Sequence, residues 1–221
     1  MARLYDVITF DCYGTLIDWE GGISKAFSDA AGAEARQLNR AHVLEAYAEI
    51  EPRVEAEAYR RYRDVLTETA QRVAERLGWP LSRESATFLA DTLPNWPPFP
   101  DTNQALERLA AAGYSLGILS NVDDDLLAGT RRHFTVSFDL IVTAQQVGSY
   151  KPAPGHFTEA RQRIGNKRWL HAAQSYFHDV GPARGLGIPV AWINRKHEAA
   201  ADGGRADREL HTLTELADWL C

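Results

Sequence analysis

The chain has 221 residues, 45% hydrophobic and 24% charged. That length suggests one or two domains with a core that folds without disulfide or metal staples. The 24 basic residues against 30 acidic ones leave a net charge of −6, which disfavours nucleic-acid and membrane-surface partners. Cys12 and Cys221 stand at opposite ends, so no disulfide framework is written. No apolar run approaches a membrane span and the opening MARLYDVITF lacks a secretory-leader layout, so a cytoplasmic location is expected.

Tyr5 to Phe10 is short, rich in β-branched and aromatic residues, and predicts a buried strand running into a loop at Asp11. From Asp18 to Pro94 the pattern is almost wholly helical, with strong helix formers from Ala41 to Leu77. The segment closes on a stiff connector holding Pro94, Pro97, Pro98 and Pro100. Beyond it, helical stretches (Thr102–Ala112, Asp124–His133, Gly155–Ile164 and a short one at Pro182–Leu186) alternate with strands. Those strands are Tyr114–Leu119, Phe138–Thr143, the less marked Trp169–Gln174, and Pro189–Ile193. Gly113 and Gly187 stand where helices should stop. Ala199 to Arg205 (AAADGGR) predicts a flexible surface loop. Strand alternating with helix means an α/β fold with a parallel sheet covered on both faces, and the helical segment is an insertion after the first strand.

Ligands of open parallel sheets bind beyond the carboxyl ends of the strands. Asp11, Cys12, Tyr13, Gly14 and Thr15 follow the first strand, Ser120 and Asn121 the second, Lys151 the third, and Ser175, Tyr176, His178 and Asp179 the fourth. A nucleophilic aspartate needs such company: a cation to stabilise charge and a second acid to hold that cation or a water. Each residue alone has a simpler reading. Asp11 can cap a turn, Ser120 can begin a helix, Lys151 can be an exposed lysine before Pro152, and Asp179 can cap the helix after it. Asp123 to Asp125 read as a solvated first helical turn. Joint occurrence at successive strand ends favours a catalytic set.

The strings FDCYGTL (Phe10–Leu16), ILSN (Ile118–Asn121), YKP (Tyr150–Pro152) and HD (His178, Asp179) resemble, in order, the four motifs of the haloacid dehalogenase superfamily. The resemblance implies a Rossmann-like core with a five-stranded parallel sheet of order 5-4-1-2-3. It also implies an all-helical cap, dividing the chain into a core of 1–17 and 95–221 and a cap of 18–94.

Phosphatases of that superfamily carry a second aspartate two residues after the nucleophile. Tyr13 stands there, and a phenol is a poor acid near neutral pH. Losing a general acid typically costs roughly 10²–10⁴-fold in rate. D-x-Y is similar to the L-2-haloacid dehalogenases, which use no metal. The implied mechanism has Asp11 attacking C2 of a 2-haloalkanoate and water hydrolysing the resulting ester to a 2-hydroxy acid. Lys151 would neutralise Asp11, Asp179 would hold the lysine, and Ser120 with the backbone around Tyr13 would receive the substrate carboxylate. Thr15 and Asn121 would support the loops, with Ser175 and Tyr176 also facing substrate.

Three departures from that pattern stand out. None of Arg53, Arg60, Arg61 and Arg63 falls on the halide-receiving position. Phe157 replaces a tyrosine, and Ser175-Tyr176 replaces a serine-asparagine pair. His178 is an added ionisable group, either a base or a structural histidine. Two other readings stay open. One is a phosphatase of a small phosphorylated metabolite, with Mg²⁺ held by Asp11, the Tyr13 carbonyl and Asp179. The other is a non-catalytic binding or dimerising protein, and a homodimer is compatible with every reading.

Overall fold

The computed structural model describes residues 3–32, 38–200 and 203–221. In chain order the first strand, β1 (Val7–Phe10), leads into four helices, α1 (Trp19–Ala31), α2 (Arg40–Glu55), α3 (Tyr62–Arg76) and the short α4 (Phe88–Thr92). Then come α5 (Thr102–Ala111), β2 (Ser115–Ser120), α6 (Asp124–Thr130), β3 (Leu140–Thr143), α7 (Ala144–Val147) and α8 (Gly155–Ile164). The chain continues with β4 (Trp169–Ala173), α9 (Gly181–Gly185), β5 (Val190–Ile193), β6 (Arg208–Leu210) and α10 (Leu213–Leu220).

All strand pairs are parallel, in the order β3-β2-β1-β4-β5-β6. The expected order is therefore observed, but with six strands in place of five. The extra strand, Arg-Glu-Leu at the sheet edge, is three residues long and mostly exposed, so no apolar run announces it. It pairs with β5, and Asp207 before it accepts the Val190 N–H at 2.8 Å. The central strands β1 and β4 are buried along their whole length, as a sheet covered on both faces requires. Gly113 and Gly187 end their helices with φ of 86° and 66°, a left-handed conformation glycine adopts without a Cβ clash. Of the predicted loop at 199–205, residues 201–202 lie outside the described residues.

The chain forms two compact units: one of Met1–Asp18, Pro98–Asn121 and His133–Cys221, the other of Trp19–Pro97 and Val122–Arg132. The first holds the whole sheet. The second is helical among its described residues. On α3 the buried positions Tyr62, Val65, Leu66, Thr69, Ala70, Val73 and Ala74 recur every three or four residues, the stripe an amphipathic helix buries. The run of helix formers from Ala41 to Leu77 is interrupted by a turn between α2 and α3.

Residues 122–132 group with the helical unit, although the chain order of strands and helices assigns them to the sheet. Asp123 explains this. Its carboxylate accepts the backbone N–H groups of Tyr62 and Arg63, both at 3.0 Å, and so caps the first turn of α3 from 60 residues away. Arg61 and Arg63 add ion pairs to Asp125 at 2.8 and 3.1 Å. Asp123 is consequently buried, which corrects the reading of that turn as wholly solvated.

Candidate active site

The loop after β1 is closed on itself. Leu16 and Ile17 both donate to the Cys12 carbonyl, and Gly14 donates to Ile17 while holding a φ of 100°. Asp11 itself donates its backbone N–H to the Ala172 carbonyl of β4 at 3.2 Å. Thr15 Oγ1 donates to Asp11 Oδ2 at 3.0 Å and accepts the Gln174 N–H at 2.9 Å, tying the loop to the end of β4.

Lys151 reaches this carboxylate from the loop before α8. Its backbone is clamped by Asn121, whose Oδ1 accepts the Lys151 N–H at 2.7 Å and whose Nδ2 donates to the Lys151 carbonyl at 3.1 Å. Its side chain is 1% exposed. The three ammonium protons have three acceptors: Asp11 Oδ1 at 2.9 Å, Asp179 Oδ1 at 2.7 Å and the Leu119 carbonyl at 2.9 Å. An ammonium has three donors and no acceptor, so Lys151 is saturated.

Asp179 lies in a single π-helical turn, Tyr176–Val180, where Ser175 Oγ caps the chain by accepting the His178 N–H at 3.1 Å. Its Oδ1 also lies 2.9 Å from Nε2 of His171 on β4. Its Oδ2 is buried with no hydrogen-bond partner among the described residues, as is Ser120 Oγ at the end of β2. Burial by itself would lower the Lys151 ammonium's pKa, but the charges of Asp11 and Asp179 outweigh it and hold the pKa above its ordinary value. Burial likewise pushes Asp179 up, yet the Lys151 charge and the His171 hydrogen bond hold its carboxyl well below the usual range. For Asp11 burial wins: desolvation, with the Asp179 charge added, raises its pKa despite Lys151 and Thr15.

Asp11, Thr15, Lys151 and Asp179 are thus in direct contact, and Asn121 acts on them through the Lys151 backbone. Other predicted residues have other partners. Tyr176 turns its hydroxyl to Arg184 at 2.8 Å and the Gly204 carbonyl at 3.3 Å, and its ring packs edge-on to Trp192. Ser175 Oγ is 3.1 Å from His178 Nδ1 as well as capping the turn. Burial, and the nearby Lys151 charge in part offset by Asp179, bring the His178 pKa down to about 4, so its imidazole is neutral at pH 7. Arg60, Arg61 and Arg63 form ion pairs with Glu57, Asp125 and Asp91 inside the helical unit, and Arg53 is exposed. Phe157 is fully buried.

The chain matches the haloacid dehalogenase-like hydrolase family over residues 5–175. It is 31% identical over 159 residues to an (S)-2-haloacid dehalogenase of Pseudomonas fluorescens, covering 70% of each chain. The chain belongs to the haloacid dehalogenase-like hydrolases. Over 217 residues it is 26% identical to an (S)-2-haloacid dehalogenase of Pseudomonas putida, covering 96% of this chain and 95% of that relative. Its fold matches L-2-haloacid dehalogenase from Xanthobacter autotrophicus with chloropropionic acid covalently bound. The TM-score is 0.83 at 20% identity, over 97% of this chain and 98% of the other.

As a member of this hydrolase family the chain is an enzyme, and its four motifs end on the strand edge where Asp11, Ser120, Lys151 and Asp179 stand. Among the described residues no helix is long and apolar enough to cross a membrane, and no group of three His, Cys, Asp or Glu side chains is arranged as metal ligands. Oδ1 of both aspartates accepts from the Lys151 ammonium and Asp11 Oδ2 accepts from Thr15, so among the described residues Asp179 Oδ2 is the one oxygen of the two carboxylates without a hydrogen bond.

Sequence reading missed His171, Thr9 and His156. All three are fully buried on or against the sheet. His156 Nε2 lies 3.0 Å from the Ser120 carbonyl, and burial with the Lys151 charge brings its pKa down to about 3. A histidine inside a buried strand, as in WLHAA, is the available signal, because a buried imidazole requires a polar partner.

Proposed function

We propose that this hydrolase cleaves the carbon–halogen bond of small (S)-2-haloalkanoic acids through an ester on Asp11. The observation that carries this reading is the saturated Lys151. A buried ammonium between two carboxylates neutralises Asp11 without a dication, which suits displacement at carbon. Phosphoryl transfer spreads charge over several oxygens and calls for more cationic stabilisation than one lysine. Tyr13 at the position of the phosphatase acid supports the same choice, as do the (S)-2-haloacid dehalogenases among the relatives.

In the proposed reaction the Asp11 carboxylate attacks C2 with inversion, forming a C–O bond as the C–X bond breaks and halide leaves with the electron pair. Water then adds to the ester carbonyl, restoring Asp11 and releasing the (R)-2-hydroxy acid; one proton goes to the site and then to solvent. Ser120 Oγ, buried and without a hydrogen-bond partner among the described residues, is suited to donate to the substrate carboxylate. Lys151 stabilises the negative charge on the Asp11 oxygens in both steps.

The test is the full chain with (S)-2-chloropropionate and, separately, with phosphate esters, each with EDTA or added Mg²⁺. Halide release that survives EDTA and is abolished in Asp11→Asn is expected. Phosphate release strictly dependent on Mg²⁺, with no halide release, would overturn the reading in favour of a phosphatase.

A further inference from the structure

His171 and Thr9 are fully buried, polar, and unused by the reaction proposed above. They lie opposite each other on the adjacent parallel strands β4 and β1. His171 Nδ1 is 2.8 Å from Thr9 Oγ1, and the indole Nε1 of Trp169, also on β4, is 2.7 Å from the same hydroxyl. On its other side the His171 Nε2 is 2.9 Å from Asp179 Oδ1. Phe157 packs edge-on against the imidazole, with ring centroids 5.3 Å apart and planes at 90°.

Donor and acceptor counting assigns the protons at both ends of the row. An indole N–H only donates, so Thr9 Oγ1 accepts from Trp169. A carboxylate only accepts, so His171 Nε2 donates to Asp179. Nδ1 either takes the Thr9 hydroxyl proton or donates to the second lone pair of Thr9 Oγ1, and in both arrangements Nε2 donates to Asp179. The row of bonds links Trp169, Thr9, His171 and Asp179. It ends on the oxygen that also holds Lys151, while Asp179 Oδ2 is without a hydrogen-bond partner among the described residues.

We propose that Trp169, Thr9 and His171 are positioning residues that lock Asp179 so that Oδ1 anchors Lys151 and Oδ2, buried and without a hydrogen bond among the described residues, is held to accept from the water that hydrolyses the Asp11 ester once ester formation admits it. This rests on the reading of the preceding subsection. A lysine is a flexible point donor and would follow either carboxylate oxygen. The imidazole is planar and held between Phe157 and Thr9, so it fixes which oxygen faces inward.

The experiment is single-turnover reaction of the parent and of His171→Leu, His171→Gln and Thr9→Val with (S)-2-chloropropionate, following the ester on Asp11 by mass spectrometry. His171→Leu should form the ester within about threefold of the parental rate but hydrolyse it on the order of 10- to 100-fold more slowly, the scale of one lost hydrogen bond to a charged group. Ester should therefore accumulate, and kcat and KM should fall together. The Gln amide donates from nearly the same place as Nε2 and should restore most of the hydrolysis rate. Thr9→Val, nearly isosteric, should slow hydrolysis severalfold with unchanged thermal unfolding. Equal slowing of both steps, or a Gln variant no better than Leu, would reduce His171 to a packing residue and overturn the proposal. ¹⁵N NMR of the parental imidazole judges the relay without any substrate. A ring protonated at Nε2 is expected, and a ring protonated at Nδ1 alone overturns it. If the parent forms no ester with any 2-haloacid, the functional reading fails and the imidazole measurement still decides the relay.

Discussion

Replacing Lys151 by methionine keeps the length of the side chain and removes its charge. Asp11 and Asp179 are then left facing each other, with three hydrogen bonds of 2.7 to 2.9 Å gone. Breaking a buried ion pair from one side costs about 3–5 kcal/mol. That is a large part of the ~5–15 kcal/mol typical of a folded domain and corresponds to a drop of about 6–20 °C in Tm for a chain of this size. The pH dependence carries a sharper signature. In the parent, the depressed pKa of Asp179 contributes stability that is present above the ordinary aspartate range and lost as pH falls below it. In Lys151→Met both carboxyls are pushed up, so the folded variant binds more protons than the unfolded chain from pH ~4 up to the raised pKa. Its stability falls as pH rises through that window, and the deficit relative to the parent narrows on acidification. Urea unfolding at pH 5 and pH 8 measures this directly. A methionine variant as stable as the parent at pH 8, or a deficit that does not change with pH, would refute an ionised Asp11–Lys151–Asp179 cluster.

Because burial raises the Asp11 pKa, the acid limb of kcat/KM for ester formation should lie above pH 4, where an ordinary aspartate would still be ionised; a limb at or below the ordinary value contradicts this. Burial pushes Glu51 in the helical unit up to about 7, against the hydrogen bond from Tyr62 at 2.9 Å. The folded state then holds a proton the unfolded chain lacks, so stability is lost as pH rises toward 7, and Glu51→Gln should flatten that decline in unfolding curves taken at pH 5, 6.5 and 8. Asp123→Ala removes both acceptors at the first turn of α3 and should cost about 1–2 kcal/mol by denaturant unfolding, with Asp123→Asn losing less; an unchanged midpoint in the alanine variant would show that the cap adds nothing. Ser120→Ala should raise KM for 2-chloropropionate on the order of tenfold while leaving ester hydrolysis nearly unchanged.

The sequence by itself determined the alternation of strands and helices, the helical segment after β1, and the residues standing at the strand ends. Those features are local: β-branched runs, helical periodicity and turn glycines act within a few residues, so FDCYGTL, ILSN and YKP could be placed before any contact was known. The tertiary structure decided which atoms meet. The third proton of Lys151 goes to the Leu119 carbonyl, a backbone group that carries no side-chain signature. Tyr176 follows the fourth strand as Ser120 follows the second, yet its phenol goes to Arg184 and Gly204 because the π-helical turn and the ring of Trp192 draw it into the core. Asp123 reads as the solvated start of a helix until the first turn of α3, 60 residues away, is brought to it. His171 lies in the strand least marked by apolar periodicity, since a histidine dilutes that pattern. Only the pairing of β4 with β1 supplies Thr9 as its partner and makes a buried polar side chain affordable. Local propensity is written residue by residue. Hydrogen-bond partners more than 100 positions apart are set by strand register, which the hydrophobic pattern alone does not encode.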